Sequence, residues 1–84
     1  MRGYSQIVIE ANQKAIALTT DAEPSLALLL GRACIAKRYP AATVAERLKL
    51  SRQTVYDWFS GKAKPQRAKE EQIKSLIDEL NRLI

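Results

Sequence analysis

Apolar residues recur every three or four positions along almost all of this 84-residue chain, and alternation with a period of two is sustained nowhere. Only a 3.6-residue repeat turns such positions onto one face, so the pattern predicts an all-α fold: a compact bundle of four to five helices. Three prolines punctuate it. Pro24 suits the first turn of a helix, where its missing N–H would be unpaired anyway. Pro40 ends one helix and opens the next, and Pro65 starts the last.

The spacing predicts a first helix from Ser5, its N-cap, to Leu18, with Ile7, Ala11, Ala15 and Leu18 on the inward stripe. After a break over 19–25, where Asp21 can cap, a second helix is expected from about Pro24 to Arg38. Leu26, Leu29, Leu30, Ala33 and Cys34 form its buried face. A third runs from Ala41 to Leu48 with Val44, Ala45 and Leu48 inward. A tight turn at Lys49-Leu50 leads to a fourth, Arg52 to Ser60, capped by Ser51 and closed by Gly61, with Val55, Trp58 and Phe59 as its apolar face. The last extends from Pro65 to about Leu83, with Ile73, Leu76, Ile77, Leu80, Leu83 and Ile84 as its stripe. Residues 1–20 are expected to be a helical extension of a domain spanning 21–84 that folds without it.

So short a chain has a thin core and must rely on well-patterned helices or on dimerisation. Its single cysteine, Cys34, forms no intramolecular disulfide and lies on an apolar stripe, as a small core residue does. No His or Cys cluster is available for a metal, and histidine is absent altogether. With no catalytic constellation in view, the expectation is a protein that is not an enzyme and takes no cofactor or metal. No apolar run approaches the ~20 residues of a membrane span, and the opening MRGYSQIVIE lacks the continuous apolar stretch of a signal peptide. A reducing, cytoplasmic setting is expected.

Charge is distributed unevenly. Residues 1–31 carry two basic and three acidic groups, and residues 70–84 two basic and four acidic. Residues 32–69 hold ten basic groups against only Glu46 and Asp57. A positive middle between mildly acidic ends suits a surface that faces a polyanion; a solvated basic face is the bland alternative.

The stretch AATVAERLKLSRQTVYDWFSGK, residues 41–62, resembles the helix-turn-helix of the Cro/phage-repressor (Xre-like) family. Ala45 matches the small residue of the first helix, Val44, Leu48 and Leu50 the apolar packing positions, and Ser51 the cap of the recognition helix. Val55 and Trp58 match its inward anchors, and SGKAKP is similar to the family's tail after that helix. The resemblance implies a lambda-repressor-like fold over roughly residues 25–80 and sequence-specific binding of double-stranded DNA by a phage or bacterial transcriptional regulator. Three features depart from the family pattern. Lys49 stands where Gly is usual, and since a non-Gly residue at positive φ is uncommon, an altered turn is expected. Ala41 stands where a phosphate-contacting Gln is common, and the last helix is one long piece.

Within this reading the expected base contacts are Arg52, Gln53, Tyr56 and Asp57. Arginine can donate twice to guanine O6 and N7, and glutamine can pair bidentately with adenine. Tyr56 can also stack on sugar, and Asp57 can accept from cytosine N4 or simply orient Arg52 or Lys62. Ser51, Thr54, Lys62, Lys64, Arg38 and Lys49 are the expected phosphate contacts, Thr54 also being able to touch a thymine methyl. A homodimer on a palindromic site is expected, since one recognition helix reads only a few base pairs. The competing reading is a protein-interaction module, host-takeover or antitoxin-like, that grips a partner through the N-terminal extension or the C-terminal helix. RNA binding is a further alternative, against which stands the lack of aromatic stacking pairs.

Overall fold

A computed structural model describes residues 4–18 and 25–82. Among them are five helices and no strand: α1 (Gln6–Ala17), α2 (Leu26–Lys37), α3 (Ala41–Leu48), α4 (Arg52–Ser60) and α5 (Arg67–Asn81). α2 lies in the middle and packs against α1, α4 and α5, while α3 packs on α4. The expected all-α bundle forms, and no described helix is long and apolar enough to cross a membrane.

Serine starts three of the helices. Ser5, Ser25 and Ser51 each hold extended backbone and accept a hydrogen bond at Oγ from the amide three residues on, satisfying an otherwise orphan N–H. α2 therefore begins at Ser25; Asp21 and Pro24, expected to open it, lie outside the described residues. α5 starts at Arg67, after Gln66, two residues beyond the expected Pro65.

Three helices end by one device. Arg38, Lys49 and Gly61 take left-handed backbone (φ 57, 59 and 86°). The next amide then reaches back five residues: Tyr39 N–H to the Cys34 carbonyl, Leu50 to Ala45 and Lys62 to Asp57, each at 2.8 Å. The turn after α3 is thus not altered by the absence of glycine. Lys49 adopts the conformation that glycine would.

The core is built from Leu30 and Cys34 of α2, Val44 and Leu48 of α3, Val55, Trp58 and Phe59 of α4, and Ile73, Leu76 and Leu80 of α5. On α2 the buried side includes Ala27, Leu28 and Gly31, while Leu26, Leu29 and Ala33 are only half-buried. Gly31 permits a close approach: a Cβ there would lie 2.8 Å from both Phe59 Cγ and Asn12 Nδ2. Burial pushes the Cys34 thiol up to about 12, as fits a packing residue rather than a nucleophile.

α1 corrects the expected inward stripe. Ile7 and Leu18 are 80% and 72% exposed, and Ala11 and Ala15 are half-buried; the buried residue is Asn12. Its Nδ2 donates to the Phe59 carbonyl at 2.7 Å and to the Leu28 carbonyl at 3.2 Å. The Phe59 carbonyl belongs to the last turn of α4, which has no intrahelical donor for it, so Asn12 caps α4 from outside. A polar requirement, met only by the amide, sets the rotation of α1.

α5 is tied to α3 at two places. Lys69 Nζ donates to the Leu48 carbonyl at 2.8 Å, placing a cation at the negative end of α3. Arg47 makes a two-pronged pair with Glu79 (2.5 and 3.0 Å) and donates to the Tyr39 hydroxyl. The guanidinium holds the Glu79 carboxyl below its usual range. The pair's contribution is therefore present at neutral pH and lost on acidification through that lowered value. It is an exposed pair, and such pairs stabilise weakly.

Candidate nucleic-acid interface

α3 and α4 meet at a corner made by three residues, 49–51. Ala45 is buried where the helices cross, and Leu50, held by its bond to the Ala45 carbonyl, closes the corner against the core. Val55, Trp58 and Phe59 turn inward, as the sequence predicts, so α4 directs Arg52 and Gln53 outward, both exposed. Thr54, Tyr56 and Asp57 are half-buried on its flanks.

The polar side chains of α4 are ordered among themselves. Gln53 Nε2 donates to Asp57 Oδ1 at 2.9 Å, one turn further on. Asp57 therefore orients Gln53, not Arg52 or Lys62. That bond uses one of the amide's two N–H groups and leaves the other, with Oε1, available on an exposed side chain. Ser51 Oγ accepts from the Thr54 amide (3.1 Å) and shares a hydrogen bond with Thr54 Oγ1 (2.9 Å), so both hydroxyls are engaged in the cap.

A pocket of about 190 Å³ opens beside the first turn of α4, between Arg52, Tyr56, Arg38, Tyr4 and the start of α3 at Pro40–Ala42. α3 has no side-chain cap, which leaves its first N–H groups to seek another partner. Two guanidinium-bearing residues and a positive helix end thus line one small concavity. Lys49 is exposed in the corner, and Lys62 and Lys64 are exposed on the loop that follows α4.

Of the ten residues expected to contact DNA, Arg38, Arg52 and Tyr56 share this pocket. Ser51, Gln53, Thr54 and Asp57 lie along α4, and Lys49, Lys62 and Lys64 flank its two ends. The basic middle of the sequence does not stay together. Arg47 turns to Glu79, Lys69 to the Leu48 carbonyl, and Arg32 lines grooves on the outer side of α2.

Tyr4 escapes a reading of the sequence. It donates from its hydroxyl to the Tyr39 carbonyl and sets its ring edge-on to Tyr56 (centroids 6.5 Å apart) and tilted against Phe59 (5.8 Å). Burial raises its hydroxyl above the ordinary tyrosine range. The one available signal is an aromatic residue directly before the capping Ser5, a position from which side chains fold back on the helix they precede.

No family model, no curated protein and no solved structure matches this chain.

Proposed function

We propose that the protein is a helix-turn-helix binder of double-stranded DNA, a transcriptional regulator of bacterial or phage type, that lays α4 in the major groove. One observation carries this reading: the outward first turn of α4, with Arg52 and Gln53, is bracketed by Arg38, Lys49, Lys62 and Lys64. A groove about 12 Å wide admits one helix, and the flanking cations then meet the phosphates on either side. Arg52 and the pre-oriented Gln53 read base edges, with Asp57 holding the Gln53 amide and Tyr56 within reach of sugar or base. The pocket at the start of α3 seats a phosphate between Arg38 and the free helix amides. Two copies acting together double the length of the site read.

The test is selection of bound sequences from random DNA, followed by titration of variants on the selected site. Arg52→Ala and Gln53→Ala are expected to cost about 1–3 kcal/mol on that site and much less on random DNA. Lys62→Ala and Lys64→Ala are expected to weaken all sequences alike. Equal losses on both DNAs for Arg52→Ala would make it a phosphate clamp and remove it from base reading.

The rival reading, a module that grips a protein, draws on the exposed Ile7 and Leu18 of α1. Ionic strength separates the two. Affinity for DNA falls steeply with salt, and an apolar protein contact holds.

A further inference from the structure

α1 presents apolar surface to solvent that the rest of the fold does not use. Ile7 and Leu18 lie eleven residues apart, which at 3.6 residues per turn places them within about 20° of one another and about 16 Å apart along the axis. Both are largely exposed. Between them on the same stripe are the small Ala11 and the exposed Lys14, with the exposed Glu10 alongside. The other apolar helix stripe is spent: Ile73, Leu76 and Leu80 of α5 are buried in the molecule's own core. Leu83 and Ile84, which would extend it, lie outside the described residues.

The stripe matches itself best in the antiparallel orientation. With two α1 helices antiparallel about a two-fold axis, Ile7 falls opposite the partner's Leu18, and Leu18 opposite the partner's Ile7. Ala11 lies opposite the partner's Lys14, whose stem crosses the small residue while its ammonium reaches the partner's Glu10 region. Each Glu10 thus meets a Lys14, twice by symmetry. A parallel pairing would set Glu10 against Glu10 and Lys14 against Lys14, which is repulsive.

We infer that α1 is the self-association surface of this protein, pairing antiparallel with α1 of a second copy through Ile7, Leu18 and the reciprocal Glu10–Lys14 contacts. α1 packs on α4, so the pairing links the two α4 helices through the α1 pair. A single helix from each copy buries little area, so the free dimer belongs to the weak, transient class. The contact gains strength when two copies are held on neighbouring half-sites.

The inference does not require that the protein bind DNA, and its test uses the free 84-residue chain. Ile7→Cys and Leu18→Cys variants are oxidised separately and as an equimolar mixture; the native Cys34 is buried and does not compete. Antiparallel pairing brings position 7 of one copy to position 18 of the other. It keeps like positions about 16 Å apart, beyond disulfide reach. The mixture is expected to give about tenfold more covalent dimer than either variant alone, trapping even a weak contact. Sedimentation of the charge variants supplies the second reading. Glu10→Lys and Lys14→Glu are each expected to weaken dimerisation about fivefold, and the double exchange to restore it. Single variants that crosslink as well as the mixture would overturn the pairing. So would a mixture that stays monomeric with its helical circular dichroism intact.

Discussion

At the scale of single residues, Lys49 holds stability and binding in opposition. Its left-handed backbone is a conformation that costs an L-residue about 1–2 kcal/mol relative to the right-handed helix, a cost that glycine avoids in exchange for chain entropy. Lys49→Gly is therefore expected to raise the urea midpoint, corresponding to about 0.5–1 kcal/mol, with an unchanged slope. The same change removes an exposed cation from the corner beside α4 and is expected to weaken binding to any DNA. If the midpoint stayed put or fell, the lysine side chain would be making a contact that offsets its backbone cost. Most of the core was legible at this scale, because Val44, Leu48, Val55, Trp58 and Ile73 are apolar residues on apolar stripes. Gly31, Asn12 and Tyr4 were not. Each acts by fitting a specific neighbour, and such fits leave no periodic trace.

At the scale of elements, α3 and α4 were readable to the residue because capping and closing signals bracket them: Pro40, Ser51 and Gly61. α1 was found but rotated wrongly. Hydrophobic periodicity assigns the most apolar stripe to the interior, whereas α1 gives its buried side to an amide. The Phe59 carbonyl at the end of α4 needs a donor, and a leucine at position 12 would leave it without one. The extension is consequently tied to the helices it covers, through Asn12, Tyr4 and the Ala15 methyl packed 3.1 Å from where a Gly61 Cβ would stand. Removing residues 1–20 uncovers Phe59 and deletes both Asn12 bonds. The expected loss is about 3–5 kcal/mol, which for so small a domain lowers the melting temperature on the order of 15–30 °C. Calorimetry of residues 21–84 checks this; an unchanged transition would make α1 an appendage. Asn12→Ala in the full chain is expected to account for about 1–3 kcal/mol of that loss.

At the scale of the whole molecule, net charge is a poor guide to the working surface, because packing reassigns individual cations. Of the ten basic groups in the middle of the sequence, Arg47 and Lys69 are engaged in bracing α5 against α3. Arg38, Lys49, Arg52, Lys62 and Lys64 remain around α4. If the four of these other than the base-reading Arg52 meet phosphates, log affinity for random DNA falls against log salt with a slope of about −3.6 per protein molecule. Arg47→Ala leaves that slope unchanged, and Lys62→Ala makes it shallower by about 0.9; equal effects of the two would dissolve the distinction between bracing and binding cations. The sequence localised the charge but not this division of labour, since both kinds of residue read alike along the chain.

The outside cap on α4 bears on how the molecule moves. The last turn of α4 is fastened from outside by Asn12 and by the closure at Gly61, whereas the capping bonds of its first turn, between Ser51 Oγ and the Thr54 amide and hydroxyl, come from its own stretch of chain. Amide exchange should accordingly be graded along nine residues. Protons near Trp58 and Phe59 should leave only when the whole molecule opens, and those near Thr54 through fraying that the rest of the fold does not feel. Such a helix is stiff where it is rooted and yielding at the tip, and can settle against an irregular surface without loosening its base.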